Sequence, residues 1–162
     1  MDLRPLPPWL QEQGQSSFVW SVIGAISQLT SLPVSTAVTC PTTRIHPAII
    51  AQAAPTAGLL TDGKFTLGVG TGEALNEHVT GAPWPVAAQR LEILEEAVTV
   101  IRDLFTRVLV SHRGPHFQVD TAPLYSVPDP PPPIFMSASA SSRPGSRPAS
   151  PTATSASDRR RT

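Results

Sequence analysis

The chain has 162 residues, enough for one domain of ordinary size with a real core. Lys plus Arg equals Asp plus Glu at 12 each, which excludes a net field that would hold nucleic acid or an anionic membrane. The lone Cys40 excludes an internal disulfide, and no apolar run is long enough to span a bilayer or to form a signal-peptide core. A cytoplasmic protein with no nucleic-acid or membrane partner is the default expectation.

Proline is the anomaly: 19 residues, more than twice the usual share, with eight of them between Pro128 and Pro151. Beyond Phe135 no aromatic residue remains, and Ser, Ala, Pro, Arg and Thr make up nearly everything. Such a segment cannot bury enough apolar area to offset the entropy of ordering. The expectation is a folded body over about 9–138 and a disordered tail over 139–162. The Arg159–Arg161 run gives no nucleic-acid motif.

Within the body, Phe18, Val19, Val22, Ile23, Ile26 and Leu29 recur at helical spacing, with Ser16 or Ser17 placed to cap the start and Pro33 to stop it. Val34–Cys40 is short and β-branched, as a buried strand would be. His46-Pro47 opens a second helix over about Pro47–Leu60, which Pro55 should kink or shorten. Thr61-Asp62-Gly63 turns the chain into a strand over Phe65–Gly70. Leu91, Leu94, Val98, Ile101 and Phe105 mark an amphipathic helix from about Ala88 to Thr106. Val108–His112 and His116–Val119 read as an exposed hairpin, and Ile134–Ser137 as a last strand. Alternation of this kind argues for parallel β/α units rather than a sandwich or a bundle.

In parallel β/α folds function collects at the carboxyl ends of strands. Two places qualify here: Val38-Thr39-Cys40-Pro41-Thr42 and Gly70-Thr71-Gly72-Glu73. Glycine weakens a strand unless something must approach its backbone, so GVGTG at Gly68–Gly72 suggests a ligand wall, with Glu73 and Asn76 as its polar lip. The stretch lacks the third-glycine spacing of a dinucleotide fingerprint and the Lys-Ser/Thr of a phosphate loop. The ordinary reading of Glu73 is a solvated turn carboxylate, and that of Cys40 a small buried hydrophobe. His112 and His116 fall on a predicted turn rather than on one helix face, so no metal site is expected, and His46 and His78 have no evident partners.

TAVTCPTTRIHPAIIAQA (Thr36–Ala53) and FTLGVGTGEALNEHVTG (Phe65–Gly81) resemble the luciferase-like monooxygenase superfamily. The likeness is closer to its deazaflavin branch, typified by glucose-6-phosphate dehydrogenases that use coenzyme F-420. The resemblance implies an α/β fold: part of a TIM (β/α)8 barrel, strands three to five with their helices. It also implies a non-proline cis peptide at Ala37-Val38 that backs the deazaflavin ring, and cofactor contacts from Cys40, where the sugar-phosphate enzymes usually carry Thr, and from Asn76. Glu73 would be the catalytic proton donor in hydride transfer between an organic substrate and coenzyme F-420. On that resemblance, the glycines would let the flat ring approach. A small-molecule substrate is implied, and family members are often homodimers. The alternatives are an FMN-dependent monooxygenase of the same fold and a non-catalytic fragment.

Two motifs of that family are absent. Where it reads Asp-His-Phe-x-Pro-Trp, with a cofactor-binding Asp and a catalytic His, this chain has Arg4-Pro5-Leu6-Pro7-Pro8-Trp9, and a glycine turn is replaced by Ser139-Ala140. One DNA string that would encode the first nine residues is ATG GAT CTC CGA CCA CTT CCA CCC TGG. Read one base later, with a C restored before the last TGG, it encodes WISDHFHPW. One T restored after Ala138 likewise yields a glycine turn and an amphipathic helix. The expectation is that residues 1–8 and the tail are read out of frame, and that the activity implied by the resemblance is ancestral and impaired in this chain. Three strands of eight cannot close a barrel, so open edges and a wet inner sheet face are expected as well.

Overall fold

The computed structural model describes residues 17–137, and the expectations for the first residues up to Trp9, for Ser139-Ala140 and for the tail lie outside them. The element order is α1 (Val19–Ile26), β1 (Val34–Ser35), α2 (Pro47–Leu60), β2 (Phe65–Val69), α3 (Ala74–Glu77), a 3-10 turn (His78–Thr80), α4 (Ala87–Thr106), β3 (Val110–Arg113), β4 (Gln118–Ala122) and β5 (Ile134–Met136). The strands β1, β2 and β5 form a parallel sheet in that spatial order, with β2 central, while β3 and β4 pair apart from it as an antiparallel hairpin.

Register decides the two faces of the sheet. Val34 pairs with Phe65 and Leu67 with Ile134, so these residues share the face that α2 and α4 cover. Phe65, Leu67 and Val69 are at most 1% exposed, packed with Ile50, Ala54, Leu94 and Ile101 from the helices. At about 25 cal/mol per Å2 of apolar area removed from water, this interlayer packing is the main stabilising term. The opposite face carries Ser35, Thr66, Gly68 and Phe135, and Phe135 is 63% exposed. Among the described residues β1 and β5 are both sheet edges, and the inner face is exposed at Ser35 and Phe135 but half-buried at Thr66 and covered at Gly68.

Three local expectations change. The first helix ends at Ile26 rather than running towards Pro33, and Leu29 is exposed beyond it. Pro55 does not shorten α2, which continues to Leu60. Its missing N–H removes one bond, but its ring is fully buried, and tertiary packing holds the turn. The first strand is only two residues long, because the chain bulges out of the sheet after Ser35.

Candidate active site

That bulge builds the site. Ser35 pairs with Thr66, and pairing resumes at Thr39 opposite Val69, so four steps on one strand match three on the other. Gly68 O accepts from both Thr39 N–H (2.8 Å) and Thr36 Oγ1 (2.9 Å), and Gly68 N–H donates to Thr36 Oγ1 at 3.0 Å. Residues Ala37 and Val38, joined by a cis peptide, are thereby pushed out and left exposed at the carboxyl end of the sheet. The cis bond stands where the resemblance placed it.

The glycines serve a different purpose from the one expected. A Cβ on Gly68 would collide with the Thr36 carbonyl, and one on Gly70 would lie 2.6 Å from Val38 Cγ2. Gly72 has φ +74°, and a Cβ there would lie 2.5 Å from Cys40 Sγ. The close approach is made by the bulged segment itself: the glycines seat the Thr36–Cys40 loop, which then forms the wall. Sequence reasoning saw that something must come close but not that it was the neighbouring strand.

Past Gly72 the chain forms one turn of helix, α3, which the sequence was too brief to announce. Glu73 is its N-cap by backbone geometry and its side chain is exposed, with no capping bond. Asn76 is half-buried, and its Oδ1 is fully shielded with no hydrogen-bond partner. Thr39 Oγ1, on a residue with no exposure, is likewise unpartnered. An orphaned buried polar atom costs about 1–3 kcal/mol; Trp20 Nε1 and Arg90 Nε are also unpartnered, but Thr39 and Asn76 are the pair that follow the carboxyl ends of neighbouring strands. Cys40 is 4% exposed, its sulfur 2.9 Å from Thr42 Oγ1. Burial pushes its thiol up to about 11, the Thr42 hydroxyl opposes this, and the charge of Glu77 adds to it. Cys40 therefore stays a protonated thiol behind the bulge.

The structure thus brings Ala37, Val38, Cys40, Glu73 and Asn76 to one end of the sheet. Of the histidines, His78 closes the α3 turn of this site, and His46 and His112 serve other contacts. His46 Nδ1 accepts from Ala48 N–H at 3.2 Å, capping α2, and its ring meets Phe117 edge-on at 5.3 Å. His78 Nδ1 bonds Leu75 O at 2.6 Å, and His112 Nε2 bonds Glu96 at 2.9 Å. Among the described residues no three His, Cys, Asp or Glu side chains are grouped to hold a metal. No described helix is long and apolar enough to cross a membrane.

The profile of the family described as luciferase-like monooxygenase matches residues 8–145. The chain belongs to this family. It is 43% identical over 133 residues to an F420-dependent glucose-6-phosphate dehydrogenase of Kribbella flavida, matching 81% of this chain and 40% of that protein. It is 39% identical over 135 residues to an F420-dependent hydroxymycolic acid dehydrogenase of Mycobacterium tuberculosis, matching 83% of this chain and 38% of that protein. Among solved structures, an F420-dependent secondary alcohol dehydrogenase in complex with an F420-acetone adduct superposes with a TM-score of 0.73 at 34% identity, covering 79% of this chain and 40% of that one. The tetrahydromethanopterin reductase of Methanopyrus kandleri, at 20% identity and a TM-score of 0.68, shares the fold. The luciferase-like chain here spans about 40% of the length of the curated relatives it matches, as part of an α/β barrel would.

Proposed function

We propose that this chain carries the cofactor-facing part of an oxidoreductase that moves hydride between an organic substrate and the deazaflavin coenzyme F-420. The observation that carries the reading is that the unpartnered, shielded Asn76 Oδ1 and the exposed Ala37-Val38 bulge follow the carboxyl ends of neighbouring parallel strands. Support comes from relatives whose names specify F420 as their cofactor at 39–43% identity. In this reading β1, β2 and β5 are the third, fourth and fifth strands of the barrel.

The residues fit a flat, partly apolar group. Val38 offers an aliphatic wall held by Gly70, Cys40 backs that wall from inside, and Asn76 accepts a hydrogen bond that the protein leaves open. When bound, the deazaflavin supplies hydride transfer at a ring carbon. Glu73, exposed on the rim with no capping duty, holds and delivers a proton beside it. The proposed substrate is a small organic alcohol or its carbonyl counterpart.

Fluorescence titration of coenzyme F-420 with the full chain, with FMN as competitor, tests this. Saturable F-420 binding that FMN does not displace is expected, and Asn76→Ala should weaken it about tenfold, the worth of one hydrogen bond. Binding of FMN alone, or of neither, would overturn the proposal.

A further inference from the structure

Glu77 is only 4% exposed, and a carboxylate at that depth requires a partner. Its Oε2 accepts from Thr43 Oγ1 at 2.8 Å, across 34 residues of chain. Thr43 lies in the loop leaving β1 and Glu77 at the end of the turn leaving β2. The same two loops meet again at Gly72, where a Cβ would stand 2.5 Å from Cys40 Sγ and 3.3 Å from Glu77 Cγ. Cys40, Thr43, Gly72 and Glu77 are thus packed as one joint behind the exposed Val38 and Glu73. The backbone reinforces it: Glu73 O accepts from both Asn76 N–H (3.0 Å) and Glu77 N–H (3.1 Å), so whatever fixes Glu77 also fixes the turn that presents Glu73 and Asn76.

We infer that Glu77 is a positioning residue for the cofactor site: through Thr43 it clamps the two strand-end loops and sets the Glu73–Asn76 turn against the Val38 wall. The inference rests on the cofactor reading for its consequence, but the clamp itself is a property of this chain alone. Its partners on the facing loop are the Thr43 hydroxyl and the Cys40 thiol, of which the hydroxyl is the stronger donor, so removing Thr43 weakens the connection and exposes Cys40.

Three variants of the full chain separate bond from charge. Thr43→Val removes the donor and leaves the carboxylate, Thr43→Ser restores a hydroxyl, and Glu77→Gln keeps an acceptor oxygen without the charge. Two readouts are used, each below the melting transition: alkylation of Cys40, the sole cysteine, by iodoacetamide without cofactor, and F-420 titration by fluorescence. Thr43→Val is expected to speed alkylation and weaken F-420 binding, each about tenfold, while Thr43→Ser and Glu77→Gln stay within about threefold of the parent. Alkylation unchanged in Thr43→Val overturns the clamp, and faster alkylation with unchanged F-420 affinity overturns the positioning role. If the parent chain fails to bind F-420, the cofactor reading falls, and the alkylation series alone still supports or overturns the clamp.

Discussion

Glu96 and Glu77 are both largely buried carboxylates, and their surroundings differ in kind. Glu96, on α4, accepts from His112 Nε2 (2.9 Å), from His116 N–H (3.1 Å) and from Phe117 N–H (2.9 Å), which locks the tip of the β3–β4 hairpin onto the helix. Gly114 completes the lock, because a Cβ there would strike the Glu96 carboxylate. Burial pushes the Glu96 pKa up, but the His112 hydrogen bond and the two backbone N–H groups outweigh it, and the carboxyl lies below its usual range. Around Glu77 the partners are the Thr43 hydroxyl and the Cys40 thiol, while Asn76 Oδ1 on the same turn and Thr39 Oγ1 on the bulged strand have no partner. At Glu96 both carboxylate oxygens are paired. A region built to receive a ligand leaves some unpaired until the ligand arrives.

The largest expected effect separates the two regions directly. Glu96→Ala strands two backbone N–H groups and His112, and should cost about 3 kcal/mol in urea unfolding, with no change in F-420 affinity. A loss under about 1 kcal/mol would erase the contrast. The pH dependence follows from the same carboxyl. Its pKa is lowered on folding, so its contribution is fully present above the ordinary carboxylate value of 4.5 and is lost as pH falls through the lower folded value. Glu96→Gln should flatten that acid limb of a stability profile. Next in size, Thr39→Val replaces an unpartnered hydroxyl with a methyl of the same shape and should stabilise by about 1 kcal/mol, read as a higher denaturant midpoint. Smallest of all, Asn76→Leu should leave stability within about 0.5 kcal/mol of the parent while weakening F-420 binding. A stability loss of about 2 kcal/mol there would show that Asn76 is structural after all.

What the sequence made legible was whatever is local. The apolar spacing of Leu94, Val98 and Ile101 announced α4, the His46-Pro47 start announced α2, and turn residues bracketed the hairpin. The parallel sheet followed from the alternation of elements, and the cis peptide at Ala37-Val38 from the family resemblance. What stayed hidden depends on contacts between distant residues. Nothing near Val34 shows that its strand yields after two residues, because the bulge is set by Gly68, more than thirty positions on. The pairing of Thr43 with Glu77, and of Glu96 with the hairpin tip, is equally non-local. The second carboxylate of the GTGEALNE stretch was visible, but only burial distinguishes the clamping Glu77 from the exposed Glu73.

The hairpin also bears on how such a chain can vary. The sheet passes from β2 to β5 in continuous register, Leu67 to Ile134 and Val69 to Met136, although the whole of β3 and β4 intervenes in the chain. The excursion between Thr106 and Ile134 is therefore an appendix to the repeat rather than a rung of it. Related chains can vary the exposed parts of this excursion, provided that a carboxylate at the position of Glu96 still meets the amides of the returning strand and that apolar side chains at Val110 and Val119 still fill the core. For protein engineering the connection from β4 to β5 is a graft point: a peptide or label placed between Tyr125 and Asp129, both exposed, would sit away from the carboxyl-end site.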